Sequence, residues 1–176
     1  MAHHHPPMDL LVEYATGALP VAQSACVAAH LSYCQRCRQL VGRLEDVGGA
    51  HLERLDPQPV GESVLESVMA RLDDPEPLRY APNEASDTQL PGLLDRLING
   101  NYADLVWKRV TQSLSISYLK TGDPSHEFAL YRIAEGGRIP EHTHGGSEMT
   151  LVLRGGFADE SGEYHPGDFL VREGWD

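Results

Sequence analysis

Two groups of residues in the chain have the types and spacing of metal ligands. In the first, His30, Cys34 and Cys37 form the pattern H-x3-C-x2-C. On a helix, His30 and Cys34 share one face, and a turn between Cys34 and Cys37 lets two thiolates meet at one ion. Zinc favours imidazole and thiolate ligands, and a tetrahedral structural site needs a fourth. The sequence therefore predicts a zinc site whose remaining ligand comes from the three histidines at positions 3–5.

The second group lies more than a hundred residues further along the chain. His142 and His144 are separated by one residue, and Glu148 follows four positions later. Side chains at i and i+2 of a strand point to the same side, so both imidazoles would face one way, and a turn at Gly145-Gly146 would return Glu148 towards them. Two imidazoles and a carboxylate suit a divalent transition metal, either zinc or another such as iron, manganese or nickel.

Two different patterns of apolar residues must position these groups. Helical spacing runs from Met8 to about Leu72 and predicts four short helices. Residues 73–92 contain four prolines and few large apolar residues, which is typical of a linker. A short helix over residues 92–98 and five strands separated by glycine-containing turns are predicted after it. The predicted strands are DLVWKRV, SLSISYL, EFALYRI, EMTLVLR and DFLVRE.

These patterns predict an α + β protein built from two domains. We expect a small all-α, zinc-binding domain over residues 1–75, an acidic, proline-rich linker over 76–92, and a β-sandwich or barrel over 93–176.

Composition excludes some classes of function. The formal net charge is −12, with 14 Lys and Arg against 26 Asp and Glu. Because nucleic-acid binding depends on basic residues that neutralise phosphates, direct contact with DNA is not expected, and a basic protein is the better partner. No apolar run approaches the length of a membrane-spanning helix, and no secretory signal precedes the first helix. We therefore predict a cytoplasmic protein without membrane contact.

The cysteines favour metal binding over disulfides. Three of them cannot all pair, and a cytoplasmic protein keeps its thiols reduced. Cys26 lies four residues before His30 on the same predicted helix face. We interpret Cys26 as a small buried apolar residue rather than a zinc ligand.

The N-terminal motif resembles the zinc-binding domain of anti-sigma factors, whose hallmark is H-x3-C-x2-C with an upstream histidine. The closer resemblance is to ChrR-type anti-sigma factors, which join such a domain to a C-terminal cupin domain. In that family the upstream ligand stands just before a helix with the pattern LL-x2-Y-x2-G-x-L, and HPPMDLLVEYATGAL, residues 5–19, matches it. The resemblance implies that His5 is the fourth zinc ligand, whereas His3 and His4 have no matching role.

Residues 136–155 read G-x5-H-x-H-x3-E-x6-G and resemble the first cupin motif. This resemblance implies a jelly-roll β-barrel in which His142, His144 and Glu148 bind a metal. Of the second cupin motif, only the turn over residues 166–168 and its strand are present. The histidine that the family places about ten residues later would fall past residue 176, so we expect a cupin domain truncated at its C-terminus.

Truncation of the cupin domain would leave its barrel incompletely closed. A jelly-roll barrel closes by pairing its last strands, so an early end predicts an unpaired edge near Phe169, Leu170 and Val171. We expect lower stability or self-association through that edge.

The resemblance implies a regulator and not an enzyme. Its helical domain would sequester an extracytoplasmic-function (ECF) sigma factor and release it on an oxidative signal, such as singlet oxygen or an organic peroxide, that requires the cupin domain. One alternative is a metal-dependent cupin enzyme, a dioxygenase or isomerase, with an accessory helical domain. Another is that Cys34 and Cys37 form a disulfide and expel zinc directly.

Overall fold

Helices occupy the N-terminal part of the chain and antiparallel strands the C-terminal part. The structure is a computed structural model that describes residues 2–72, 90–98, 102–137 and 146–172. The helices are α1 (Met8–Ala15), α2 (Val21–Tyr33), α3 (Gln35–Leu52), α4 (Ser63–Ala70) and α5 (Gly92–Leu97). The four helices predicted before the linker and the short helix after it are therefore confirmed.

Local sequence explains where the first helices begin and end. Helices α1 and α2 each follow a proline, Pro7 and Pro20, whose fixed φ suits the entry to a helix. Gly17 follows the C-terminal end of α1 with a φ of 72°, a left-handed conformation that favours glycine and ends the helix. Cys34 is extended between α2 and α3, with φ −113° and ψ 103°. This break turns the chain at the point where the cysteine ligands are predicted.

The strands form three small antiparallel sheets within the described residues. Strand β1 pairs with β2 and β2 with β3, β4 pairs with β7, and β5 pairs with β6. Their bounds are β1 (Lys108–Arg109), β2 (Leu114–Tyr118), β3 (Ala129–Ile133), β4 (Glu148–Leu151), β5 (Phe157–Asp159), β6 (Gly162–Tyr164) and β7 (Phe169–Arg172). The helical N-terminal region followed by a β-rich region confirms the predicted α + β class.

The hairpin formed by β5 and β6 was not predicted from the sequence. Strands β5 and β6 are three residues each, too short for an alternating pattern to be read. Asp159 stabilises the turn between them by accepting hydrogen bonds from the backbone N–H groups of Ser161 (2.7 Å) and Gly162 (3.2 Å).

The main apolar core joins the two parts of the chain. Phe169 of β7 is 2% exposed and packs among residues from α1, α2 and α3. Its backbone N–H donates to the carbonyl of His4 (3.1 Å). Residues 2–7, the segment before α1 that we call the leader, therefore cover this end of β7. The predicted unpaired edge is therefore wrong for Phe169. The buried members of this core are Leu10, Leu11, Leu19, Cys26, Val27, Cys34, Cys37, Val41 and Phe169.

A long segment of the helical part stays outside that core. Every residue from Glu45 to Leu72 is exposed, which includes the C-terminal end of α3 and all of α4. We call residues 45–72 the arm. No helix in the described part of the chain combines the length and apolar character needed to cross a bilayer.

Candidate metal centre

Four side chains from separate elements converge beside the main core. His5 lies in the leader before α1, His30 in α2, Cys34 at the junction of α2 and α3, and Cys37 in the first turn of α3. One potential ligand atom from each lies within 4.8 Å of the others. The donor set is two imidazoles and two thiols, which is a composition of structural zinc sites. The structure thus brings together the four residues predicted as N-terminal zinc ligands.

The distances within this cluster fit a small tetrahedral ion. The Nδ1 atom of His5 lies 3.4 Å from the Sγ atom of Cys34 and 3.6 Å from that of Cys37. A tetrahedral zinc with bonds of about 2.3 Å to sulfur and about 2.0 Å to nitrogen would separate such atoms by about 3.5 Å. The backbone N–H of Cys37 also donates to Cys34 Sγ (3.4 Å), so the start of α3 orients that sulfur.

The ring of His30 has one nitrogen fixed and the other without a protein partner. His30 is fully buried, and its Nδ1 lies 2.8 Å from the carbonyl oxygen of Gly167. Because a carbonyl oxygen only accepts hydrogen bonds, Nδ1 must carry the proton, which leaves the lone pair on Nε2. Among the described residues Nε2 has no hydrogen-bond partner. A buried imidazole with an unused lone pair beside two thiols fits a metal ligand.

Burial shifts the pKa values of the two histidines and of Cys37 in opposite directions. It lowers the pKa of His5, with the nearby Arg36 lowering it further, and it lowers the pKa of His30. Both imidazoles are therefore neutral at pH 7, as metal binding requires. Burial also raises the pKa of the Cys37 thiol to about 12, and the adjacent Cys34 contributes to this increase. Zinc binding would consequently release the proton of the Cys37 thiol.

A turn of the C-terminal region lies against the cluster. Besides the bond from His30 to Gly167, the carboxylate of Asp168 accepts hydrogen bonds from the backbone N–H groups of His3 (2.5 Å) and His4 (3.0 Å). The turn therefore holds the leader that carries His5. These contacts could not be predicted from the sequence, in which residues 166–168 match only part of a cupin motif.

The remaining predicted residues of this half have other roles. Cys26 is buried in the core and does not belong to the cluster, and burial raises the pKa of its thiol to about 12. His3 and His4 contribute backbone N–H groups to the fold, while their side chains are exposed.

The second predicted metal group is only partly described by the structure. Glu148 begins β4, is half-buried, and lies opposite Arg172 of β7. His142 and His144 fall outside the described residues. The structure therefore does not test whether these three side chains meet, and their role as ligands stays a prediction.

Comparison with known proteins covers both halves of the chain. Residues 96–175 match the family described as the ChrR cupin-like domain. The chain is 36% identical over 170 residues to a protein named anti-sigma-E factor ChrR from Cereibacter sphaeroides, and the match spans 97% of this chain and 79% of the relative. The chain belongs to the ChrR family of anti-sigma factors. Membership of the ChrR family confirms the cupin fold expected for the C-terminal region, and it indicates a regulator rather than an enzyme.

A solved structure supports the same assignment at the level of the fold. This ChrR-family chain resembles a chain in the crystal structure described as Rhodobacter sphaeroides SigE in complex with the anti-sigma ChrR, with a TM-score of 0.83 and 35% identity. The likeness covers 98% of this chain and 88% of the other. The arrangement of helical and β-rich parts is therefore shared with the ChrR family.

Proposed function

We propose that this chain is an anti-sigma factor that sequesters an ECF sigma factor and releases it on an oxidative signal. The observation that carries this proposal is the match to a ChrR anti-sigma factor along 97% of the chain, through both the helical and the β-rich parts. The likeness to a chain in a sigma–anti-sigma complex supports the same class of partner.

The zinc cluster would have a structural role in this function. A bound zinc ion cross-links the elements whose residues ligate it. In this chain, those elements are the leader through His5, α2 through His30 and the start of α3 through Cys37. A small helical unit buries too little apolar surface to be stable alone, and metal binding adds the missing stabilisation. The cross-link fixes the base of α3, from which the arm extends.

The arm offers the surface that best fits a protein partner. Its large apolar side chains are exposed, although soluble proteins rarely leave so many together in water. Val64 and Val68 of α4, and Leu72 just after it, recur every four residues, and Leu65 and Met69 lie beside the first two on the same face of the helix. The exposed apolar residues of the arm are Val47, Leu52, Leu55, Val60, Val64, Leu65, Val68, Met69 and Leu72.

The charge of the arm complements a basic partner. Six carboxylates and two arginines lie between residues 45 and 72, which leaves the arm acidic. An apolar face with an acidic margin fits a hydrophobic groove bordered by Lys and Arg, and charge complementarity speeds association with such a partner. We assign the sigma factor to this surface.

We propose that the C-terminal cupin domain senses the signal. Direct oxidation of the zinc thiols is less favoured, because Cys34 and Cys37 are 5% and 3% exposed and oxidants attack accessible thiolates. A divalent metal held by His142, His144 and Glu148 would give the cupin domain a separate reactive centre. Singlet oxygen and organic peroxides are the proposed signals.

Co-purification tests the regulatory function directly. The chain is expected to form a one-to-one complex with an ECF sigma factor from the same organism and to block transcription by core RNA polymerase with that sigma factor. Failure to bind any ECF sigma factor of that organism would remove the proposal. Turnover of a small substrate that depends on Glu148 would favour the cupin enzyme instead.

Substitution of the cupin group separates sensing from inhibition. Changing His142, His144 or Glu148 to alanine is expected to leave sigma inhibition within about twofold of the unchanged chain, because Glu148 lies outside the zinc cluster and the arm. The same variants are expected to lose most of the release that follows exposure to singlet oxygen. Transcription measured before and after that exposure provides both readouts. Normal release from all three variants would contradict the assignment of the sensor.

A further inference from the structure

The turn over residues 165–169 connects the β-rich region to two of the zinc-binding side chains. The carbonyl oxygen of Gly167 accepts a hydrogen bond from His30 Nδ1 at 2.8 Å. The ring of Phe169 packs edge-on against the ring of His30, with centroids 5.7 Å apart. His30 thus has its orientation and its tautomer set by residues 137 or more positions away in the chain.

Asp168 holds the leader that carries His5. Its side chain is fully buried, and Oδ1 accepts from the N–H groups of His3 and His4, while Oδ2 accepts from the N–H of His165 (2.8 Å). A buried carboxylate needs such donors to replace water. His5 follows His4 directly, so Asp168 fixes the path of the backbone just before this ligand.

Gly167 brings the turn into close contact with α2. Its φ is +94°, and a Cβ atom built on it would lie 2.8 Å from Cβ of Tyr33 and 3.4 Å from Cβ of Ala2. Only glycine permits both this backbone conformation and this approach. Tyr33 adds a second tie, since its hydroxyl donates to the carbonyl of Leu153 (3.1 Å).

We propose that Gly167 and Asp168 are positioning residues of the zinc centre, so that the C-terminal domain sets how firmly the N-terminal domain holds zinc. Partners that orient metal-binding histidines commonly change metal affinity by about 10- to 100-fold when they are removed. The proposal rests on the zinc site proposed above, and it adds that the site is completed by both domains.

The same turn is continuous with the strand pair that carries the candidate cupin ligand. Strand β7 begins at Phe169, directly after Asp168, and pairs with β4 in the register Leu151 opposite Phe169 and Glu148 opposite Arg172. A displacement of β7 therefore moves the turn that contacts His30. This gives the cupin domain a direct mechanical connection to the zinc ligands.

The proposal is tested by zinc release from the full chain to a colorimetric chelator. Asp168→Asn keeps the size of the side chain, but its amide cannot accept hydrogen bonds at both ends, so at least one of the three backbone donors loses its partner. We expect zinc release about tenfold faster than from the unchanged chain. The control is Asp123→Asn, because Asp123 also accepts a hydrogen bond from a backbone N–H group, that of Ser125 (2.9 Å), in a turn between β2 and β3 that contributes no zinc ligand and lies in a sheet separate from β7.

A second pair of variants tests the close approach of the turn. Gly167→Ala is expected to accelerate zinc release at least as much, because its methyl group must displace α2. Gly122→Ala is the matched control, since Gly122 has a similar φ of +82° but nothing within 4 Å of its added Cβ. Thermal unfolding of all four variants separates a change at the zinc centre from a general loss of stability.

Spectroscopy of the cobalt-substituted chain gives a readout that stability alone does not change. The ligand-field bands of Co²⁺ report the geometry of its ligands, so Asp168→Asn is expected to shift them while Asp123→Asn leaves them unchanged. Zinc release and Co²⁺ spectra like those of the unchanged chain would overturn the inference and leave the zinc site intact. Absence of zinc from the unchanged chain would overturn both.

Discussion

Replacing Cys37 with alanine is expected to remove zinc from the chain and abolish inhibition of the sigma factor. Cys37 is 3% exposed, and its Sγ atom lies 3.6 Å from His5 Nδ1. Without it, the cluster retains three ligands, and a structural zinc site of this type requires four. Zinc content by mass spectrometry and transcription with the sigma factor measure the two losses.

A complete loss of inhibition is expected because metal binding is coupled to folding. Zinc contributes about 10–16 kcal/mol to small domains that fold only with the metal, which is as large as the total stability of most domains, about 5–15 kcal/mol. Loss of zinc would therefore unfold the helical domain, and α1 and α2 would no longer pack on α3. The arm extends from α3, so the proposed sigma-binding surface would lose its support. Removing zinc from the unchanged chain with a chelator should give the same loss.

Cys26 provides the matched control for this prediction. It is also a buried cysteine, in the same core, but it lies outside the ligand cluster. Cys26→Ala is expected to keep one zinc per chain and to lose only about 1 kcal/mol of stability through poorer packing. Retention of zinc and inhibition by Cys37→Ala, or loss of both by Cys26→Ala, would contradict the proposed ligand set.

The local part of the candidate metal centre could be predicted from the sequence because its residues are close together in the chain. His30, Cys34 and Cys37 need only one helix and one turn to converge, and both follow from apolar spacing and the break at Cys34. His5 is different, because no spacing rule connects it to Cys34, and only the family resemblance selected it from three adjacent histidines.

The support from the C-terminal region could not be predicted in this way. The bond between His30 and Gly167 uses a backbone carbonyl, which every residue possesses, and it joins positions 137 apart. The turn was visible in the sequence as Pro166-Gly167-Asp168, but its contact with the leader depends on how β7 packs against the helices. Tertiary packing of this kind leaves no periodic signal.

The apolar pattern of α4 correctly predicts a helix, but it does not show whether the apolar face is buried. An apolar stripe at helical spacing normally marks the face that a helix buries against its own core. In this chain Val64, Leu65 and Val68 are 46%, 69% and 54% exposed. Among the described residues this stripe stays exposed, which fits the partner surface proposed above and could not be read from the sequence.

Replacing Leu65 with aspartate is expected to weaken sigma binding without destabilising the free protein. Leu65 is 69% exposed on α4, so its loss removes no internal packing, and the change in unfolding free energy should stay within about 0.5 kcal/mol. In the complex, a charge would replace an apolar side chain in a desolvated contact. A residue at the centre of such an interface contributes about 2 kcal/mol or more, which corresponds to a dissociation constant raised about thirtyfold.

Ser67→Asp supplies the control on the same helix. It adds the same charge, but Ser67 lies outside the apolar stripe and its hydroxyl donates to the carbonyl of Ser63 (2.7 Å). We expect sigma binding by this variant to change less than threefold in titration calorimetry, while Leu65→Asp changes about thirtyfold. Equal binding by both variants would mean that α4 does not dock the sigma factor. Loss of a dimer in sedimentation of Leu65→Asp would then assign the apolar stripe to a second copy of this chain.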